Sequence, residues 1–227
     1  MRDKTASTIR EALDDLHDGA RIMVSGFGLA GHPVELIEGL LERGVKDLTI
    51  ISNNAGNGDT GLAALIRNRR VRKVICSFPR QTDSWAFDEA YRAGEIELEL
   101  VPQGNLAERI RAGGAGIPAF FSPTGYGTPL TADAEAREFD GINAVLLHAL
   151  TADFALVSAH QADRWGNLTY RKTGRNFGPI MMTAAKTSIA EVNDIVNIGD
   201  LDPETVVTPG IYVDRIVIPH RTKKEPS

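Results

Sequence analysis

The stretch from Ser25 to Pro33, SGFGLAGHP, constrains this chain more than any other. The apolar run RIMVS precedes it. PVELIEGLLERG follows, with Val34, Ile37, Leu40 and Leu41 on one helical face and Glu35, Glu38, Glu42 and Arg43 on the other. Gly26, Gly28 and Gly31 stand in the G-x-G-x-x-G spacing. Strand, glycine turn and helix in that order predict a parallel sheet, because the helix carries the chain back to start the next strand beside the first. In some α/β folds such a turn cradles a dinucleotide pyrophosphate. That use also needs an acidic residue at the end of the second strand to hold a ribose. Here the second run, LTIIS, ends in Asn53 and Asn54, and the nearest acids, Asp47 and Asp59, lie off the strand end. Two readings stay open. Backbone N–H groups and the helix N-terminus could serve a carboxylate or a developing oxyanion, or the glycines form a tight turn with no ligand.

The alternation continues downstream. Thr5 to Leu16 reads as a first helix, with Thr5 or Ser7 as its N-cap. Arg21 to Ser25 and Leu48 to Ser52 read as strands, and Pro33 suits the first turn of the helix that Gly44 ends. Leu62 to Asn68 reads as a short helix and Val71 to Cys76 as the third strand. Ser84 to Ala93, Ile96 to Val101 and Asn105 to Ala112 then read as helix, strand and helix. The glycine- and proline-rich stretch GGAGIPAFFSPTGYGTP breaks the pattern and predicts ordered loops with one short strand. Apolar runs at Ala144 to Leu147, Phe154 to Ala159 and Ser188 to Val192 predict that the same sheet resumes. The fold class is therefore α/β, a mostly parallel sheet covered by helices on both faces. One domain is expected over 1–219, with a solvated, disordered basic tail over 220–227.

Composition narrows the function classes. The 227 residues are 42% apolar and 24% charged, ordinary for a soluble globular protein. A net charge of −5 gives no long-range pull toward nucleic acid or an anionic membrane. Cys76 is the single cysteine, which excludes an internal disulfide and fits a reducing cytoplasm. The charged N-terminus carries no signal-peptide pattern, and no apolar run is long enough to span a bilayer. The histidines His17, His32, His148, His160 and His220 show no zinc-ligand spacing, so no metal is expected. Ser25, Ser52 and Ser122 lack the G-x-S-x-G elbow of a serine hydrolase. Arg164, Arg171, Lys172 and Arg175 form a basic cluster suited to phosphate groups, a partner polypeptide or surface salt bridges.

The stretch DGARIMVSGFGLAGHP, Asp18 to Pro33, is similar to the signature of the 3-oxoacid CoA-transferases of A-subunit type. One departure is Ser25, where the family carries the first glycine of a G-G-F triplet. The resemblance extends through SNNAG, PQGNLAERIRAGGAGIPAFF, PTGYGT, DRWGNLTYRK and RNFGP, and so covers nearly the whole chain. It implies the fold shared by CoA-transferases and sugar-phosphate isomerases. It also implies ping-pong acyl transfer through a glutamate that carries CoA as a thioester, without ATP.

The family's E-N-G motif, which holds that glutamate, is missing here: no glutamate is followed by Asn-Gly. Glu35, Glu38, Glu42, Glu89, Glu95, Glu97 and Glu99 read as surface carboxylates. The resemblance thus implies a polypeptide with no catalytic nucleophile of its own, obligately paired with a separate B-type CoA-transferase subunit in a higher heteromer. CoA thioester is a substrate, and no permanently bound cofactor is expected. It points to Asn53, Asn54 and Gln103 as substrate-binding, and to Gly26, Phe27, Gly28 and Gly31 as an oxyanion and acyl pocket. Gly113, Gly114 and Gly116 are expected in a loop that closes over the site or simply turns. The stretch SFPRQTDSWAFDEAYRAGEIELELVPQG resembles the members that act on 3-oxoadipate with succinyl-CoA as donor, in aromatic-compound catabolism. Arg80 within it is the expected partner of a distal carboxylate, on donor or acceptor. An acetoacetate-specific member is the nearest alternative, separable by assaying both acids. A sugar-phosphate isomerase-like enzyme would act without a second polypeptide, and a non-catalytic binding module would stay inactive with one.

Overall fold

The computed structural model describes residues 2–28 and 30–219. The expected basic tail over 220–227, with His220, lies outside the described residues. Seven strands form one parallel sheet: β1 (Arg21–Val24), β2 (Leu48–Ile51), β3 (Val71–Cys76), β4 (Glu97–Leu100), β8 (Ala152–Asp163), β10 (Ala185–Val196) and β11 (Arg215–Val217). Their order is β11-β10-β8-β1-β2-β3-β4, and the short β9 (Leu168–Thr169) pairs antiparallel on β8. β1 pairs with β2 through Ile22 and Ile50, and with β8 through Ile22 and Phe154. The chain then winds outward in opposite directions from the β1/β8 pair.

Side chains that alternate along each strand divide the interior into two cores. Ile22, Val24, Ile50, Val74 and Leu156 face α1 (Ile9–Ala12), α2 (Val34–Arg43), α3 (Gly61–Arg67) and α4 (Trp85–Arg92). Met23, Ile51, Ile75, Ala155 and Val157 face α5 (Gln103–Gly114) and α6 (Gly178–Thr183). Leu36, Ile37 and Leu40 are buried on the α2 stripe, and Gly44 ends that helix with a left-handed φ of 73°. Leu106, Ile110, Met181 and Met182 fill the opposite core. The sheet is thus covered on both faces, as the strand–helix alternation requires.

Three expectations are corrected. The first helix is only Ile9–Ala12 and its cap is Thr8, whose hydroxyl accepts the Glu11 N–H at 3.0 Å. Thr5 instead bridges to Ile216, so the sheet's edge takes the residues that propensity assigned to the helix. The run Ala144–Leu147 does not join the main sheet. It belongs to β7 (Ile142–His148), which pairs antiparallel with β5 (Ala119–Ser122) and β6 (Ala136–Phe139) in a separate sheet beside α5.

Gly113 and Gly114 are not loop residues either. They form the last turn of α5, where a Cβ on Gly113 would strike the Leu150 carbonyl and one on Gly114 the Thr183 hydroxyl. They are glycines so that the helix can lie directly on the chain below. Gly116, with φ 71°, makes the turn beyond the helix, away from any close neighbour. Gly113→Ala should therefore lower stability by about 1–3 kcal/mol, because a backbone carbonyl cannot yield as a side chain can. Gly104→Ala, on the same helix with open space around it, should be neutral or stabilising by up to about 1 kcal/mol. Denaturant melts of the two variants check the contrast.

Candidate active site

An open α/β sheet binds ligands beyond the carboxyl ends of its strands, where the winding direction reverses. That point here is the β1/β8 junction. A cleft of about 840 Å³ lies along this edge, lined by Phe27, Gly28, Asn53, Ser77, Phe78, Arg80, Gln81, Thr82 and Gln103. Five of the expected residues thus meet: Phe27 and Gly28 after β1, Asn53 after β2, Arg80 after β3 and Gln103 at the start of α5. Gln103 Nε2 donates to Asn53 Oδ1 at 2.6 Å. The Asn53 carbonyl accepts the N–H groups of Ser77 and Phe78, which fixes its backbone to the next strand. With Oδ1 occupied, the Asn53 amide offers a ligand chiefly its N–H₂. Arg80 donates through Nε to Asp88 at 2.5 Å. Among the described residues its two terminal nitrogens have no partner, a pair suited to a carboxylate. Phe27 and Phe78, 49% and 59% exposed, flank the mouth.

The glycine loop is built differently from the expectation. The Gly26 N–H is taken by Asn176 Oδ1 at 3.0 Å. Phe27 and Ala30 exchange N–H···O=C bonds of 3.0 Å across the turn. Two of the expected oxyanion donors are therefore spent, the Gly26 N–H on Asn176 and the Phe27 N–H inside the loop. The Gly28 N–H, beside the cleft, has no acceptor among the described residues. Gly26 is glycine because the His32 ring lies where its Cβ would be and its φ is 141°. Gly31, with φ 72°, packs on Asn176 and Gly174 rather than on the cleft. His32 closes the loop by donating Nε2–H to the Gly28 carbonyl at 2.9 Å. Ser25, fully buried with an ordinary backbone, donates to the Gly31 carbonyl at 2.7 Å and accepts the Ser158 N–H at 3.0 Å. Its hydroxyl stitches the loop to β1 and β8, so the departure from glycine adds a tie and leaves close approach to Gly26.

Asn54 does not reach the cleft. It is 1% exposed, its Oδ1 accepts the Gly56 N–H at 2.9 Å in an Asx turn, and it borders a separate, smaller cavity with His32 and Thr60. Ser77, Phe78, Gln81 and Thr82 are lining residues that sequence reading did not single out. Their only signal was position just past an expected strand. Glu95, Glu97 and Glu99 lie in ion pairs with Arg69, Lys73 and Arg109. The Cys76 thiol is buried and pushed up to about 12 by desolvation. Among the described residues no group of three or more potential metal ligands occurs, and no helix is long and apolar enough to cross a membrane.

Residues 6–218 match the model of the Coenzyme A transferase family. The chain belongs to that family. It is 64% identical over 96% of its length to the A subunit of the 3-oxoadipate CoA-transferase of Pseudomonas putida, covering 94% of that protein. It is 47% identical over 95% of its length to the A subunit of the probable succinyl-CoA:3-ketoacid coenzyme A transferase of Bacillus subtilis, covering 90% of it. Among solved structures, an acyl-CoA transferase from E. coli O157:H7, as a thioester complex with CoA, superposes with a TM-score of 0.84 at 23% identity. That likeness concerns the fold; it takes in 96% of this chain and 47% of the E. coli chain, so this chain spans about half of it.

Burial holds the His32 imidazole below its ordinary pKa, against the opposing effect of its bond to Gly28. The folded chain thus resists protonating a group that the unfolded chain protonates near pH ~6.5. Stability should be full above that pH and fall as pH drops below it, levelling once pH is under the depressed folded value. His32→Gln should flatten this part of the profile in melts between about pH 8 and pH 5.

Proposed function

We propose that the chain is the A-type half of a 3-oxoadipate CoA-transferase, working in the cytoplasm with an obligate B-type partner polypeptide. The single observation that carries this is the lining of the cleft. It holds amides, hydroxyls, two aromatics and one arginine, and no carboxylate among its described lining residues. A family whose chemistry needs a carboxylate nucleophile then finds it on a second polypeptide. The acceptor assignment rests on Arg80 and on the higher identity to the 3-oxoadipate relative than to the 3-ketoacid one.

The steps balance without ATP. A glutamate of the B-type partner attacks the thioester carbonyl of succinyl-CoA, the C–S bond breaks, and CoA leaves as thiolate from a mixed anhydride. The thiolate attacks the glutamyl carbonyl and succinate departs, leaving a glutamyl–CoA thioester. The carboxylate of 3-oxoadipate attacks that thioester, and CoA is expelled again. Its thiolate then takes the 3-oxoadipyl group and frees the glutamate. Asn53, held by Gln103, offers N–H donors to acyl oxygens, and the Gly28 N–H serves an oxyanion. Arg80 holds the carboxylate that is not activated.

Co-expression with a candidate B-type partner, followed by mass analysis of the trapped CoA adduct, tests the division of labour. The adduct is expected on the partner; one on this chain overturns the proposal. Arg80→Ala should lower kcat/KM for 3-oxoadipate by about 2 kcal/mol, roughly 30-fold. The half-reaction started from preformed enzyme–CoA isolates the acceptor from succinyl-CoA. Unchanged activity there removes Arg80 from acceptor binding.

A further inference from the structure

Asn176 takes no part in the cleft lining, yet it makes more bonds to the glycine loop and its support than any other side chain here. Its Oδ1 accepts the Gly26 N–H at 3.0 Å and the Phe177 N–H at 2.7 Å. Its Nδ2, with two hydrogens, faces three carbonyls, those of Ala30 at 3.3 Å, Thr173 at 3.1 Å and Gly174 at 3.0 Å, so one hydrogen is shared between two of them. Two donors on one side and three acceptors on the other leave no ambiguity about which way the amide points. The residue holds a positive φ of 20°, which a side-chain-bearing residue rarely adopts. Gly31 closes on it, since a Cβ there would strike Asn176 Nδ2 and the Gly174 carbonyl.

We infer that Asn176 is a positioning residue: one amide group clasps both ends of the glycine loop to the turn before α6 and thereby sets where Phe27 and Gly28 stand in the acyl cleft. The loop's own pair of bonds, between Phe27 and Ala30, closes the turn but does not anchor it to the body. Ser25 ties the Gly31 end to β1 and β8; Asn176 adds the anchor that reaches both Gly26 and Ala30, from a segment 150 residues away. The catalytic half of this inference rests on the transferase reading above; the clasp itself does not.

The test compares Asn176→Ala, Asn176→Gly and Asn176→Asp in the full chain, with thermal melts and assembly with the B-type partner as controls. Amide exchange is read at Ala30, whose acceptor, the Phe27 carbonyl, lies inside the loop and takes no bond from Asn176. Ala and Gly are both expected to speed that exchange at least about tenfold. They should lower kcat by about 10- to 100-fold, the cost of a misplaced active-site group, with KM within about threefold. Asp keeps the acceptor for Gly26 but turns an anionic oxygen on three carbonyls. It should regain kcat as pH falls and the carboxyl protonates, where the parent does not. Parent-like exchange or kcat in the Gly variant overturns the inference, because glycine suits the turn and only the amide is then missing. Faster exchange with unchanged kcat also overturns it. An inactive parent complex strikes the transferase reading instead, and the exchange contrast still decides whether the clasp holds the loop.

Discussion

Parallel pairing of β1 with β8 on one side and β2 on the other is the constraint from which the site follows. The chain winds from β1 toward β4, and the cleft lies along the loops that leave the carboxyl ends of these four strands. Residues placed after three of these strands land on its rim: Gly28 after β1, Asn53 after β2, Arg80 after β3. The same strand also separates the two cores, with Ile22 and Val24 on one face and Met23 on the other. A shift of β1 by one residue would exchange those faces and move the glycine loop off the crevice. Register and site are one specification.

Within that frame the loop uses most of its polarity on itself. The N–H groups of Gly26 and Phe27 are satisfied by Asn176 and Ala30, and the Gly28 and Gly31 carbonyls by His32 and Ser25. The polar groups left facing the cleft are then mainly side chains, chiefly amides and one arginine. Amides do not titrate, so the cleft keeps one character across the pH range in which carboxylic acids change charge. They also place no negative charge near incoming carboxylates. A carboxylate in the wall would repel any carboxylate brought beside it and would raise its pKa.

The four β–α units were legible because their apolar residues keep period, and because Gly44 and Gly94 stop helices where a left-handed residue is needed. The apolar run in β7 was misassigned for a physical reason: a strand of any sheet packed on a helix shows the same run, and pairing partners leave no local mark. Gly113 and Gly114 looked like loop because glycine is costly in a helix, yet close contact with Leu150 and Thr183 outweighs that cost. Of the cleft's lining, Phe27, Gly28, Asn53, Arg80 and Gln103 were legible at strand ends. Asn54 stood in the same position and was turned aside by an Asx turn, which depends on one rotamer. Asn176 was hidden because its bond to Gly26 joins residues 150 apart.

Ser25 shows how a departure from a family pattern should be weighed. A serine in place of glycine narrows the backbone's choices, and that suggests a looser fit at the turn. The conformational demand, however, falls on the next residue: Gly26 carries the φ of 141° and the His32 ring against its Cα. Ser25 sits where an ordinary residue fits, and its hydroxyl meets one donor and one acceptor of the surrounding backbone. Removing that oxygen would leave the Ser158 N–H unpaired, at a cost of about 1–3 kcal/mol. The serine therefore strengthens the link between β1, β8 and the loop that carries Phe27 and Gly28 to the cleft.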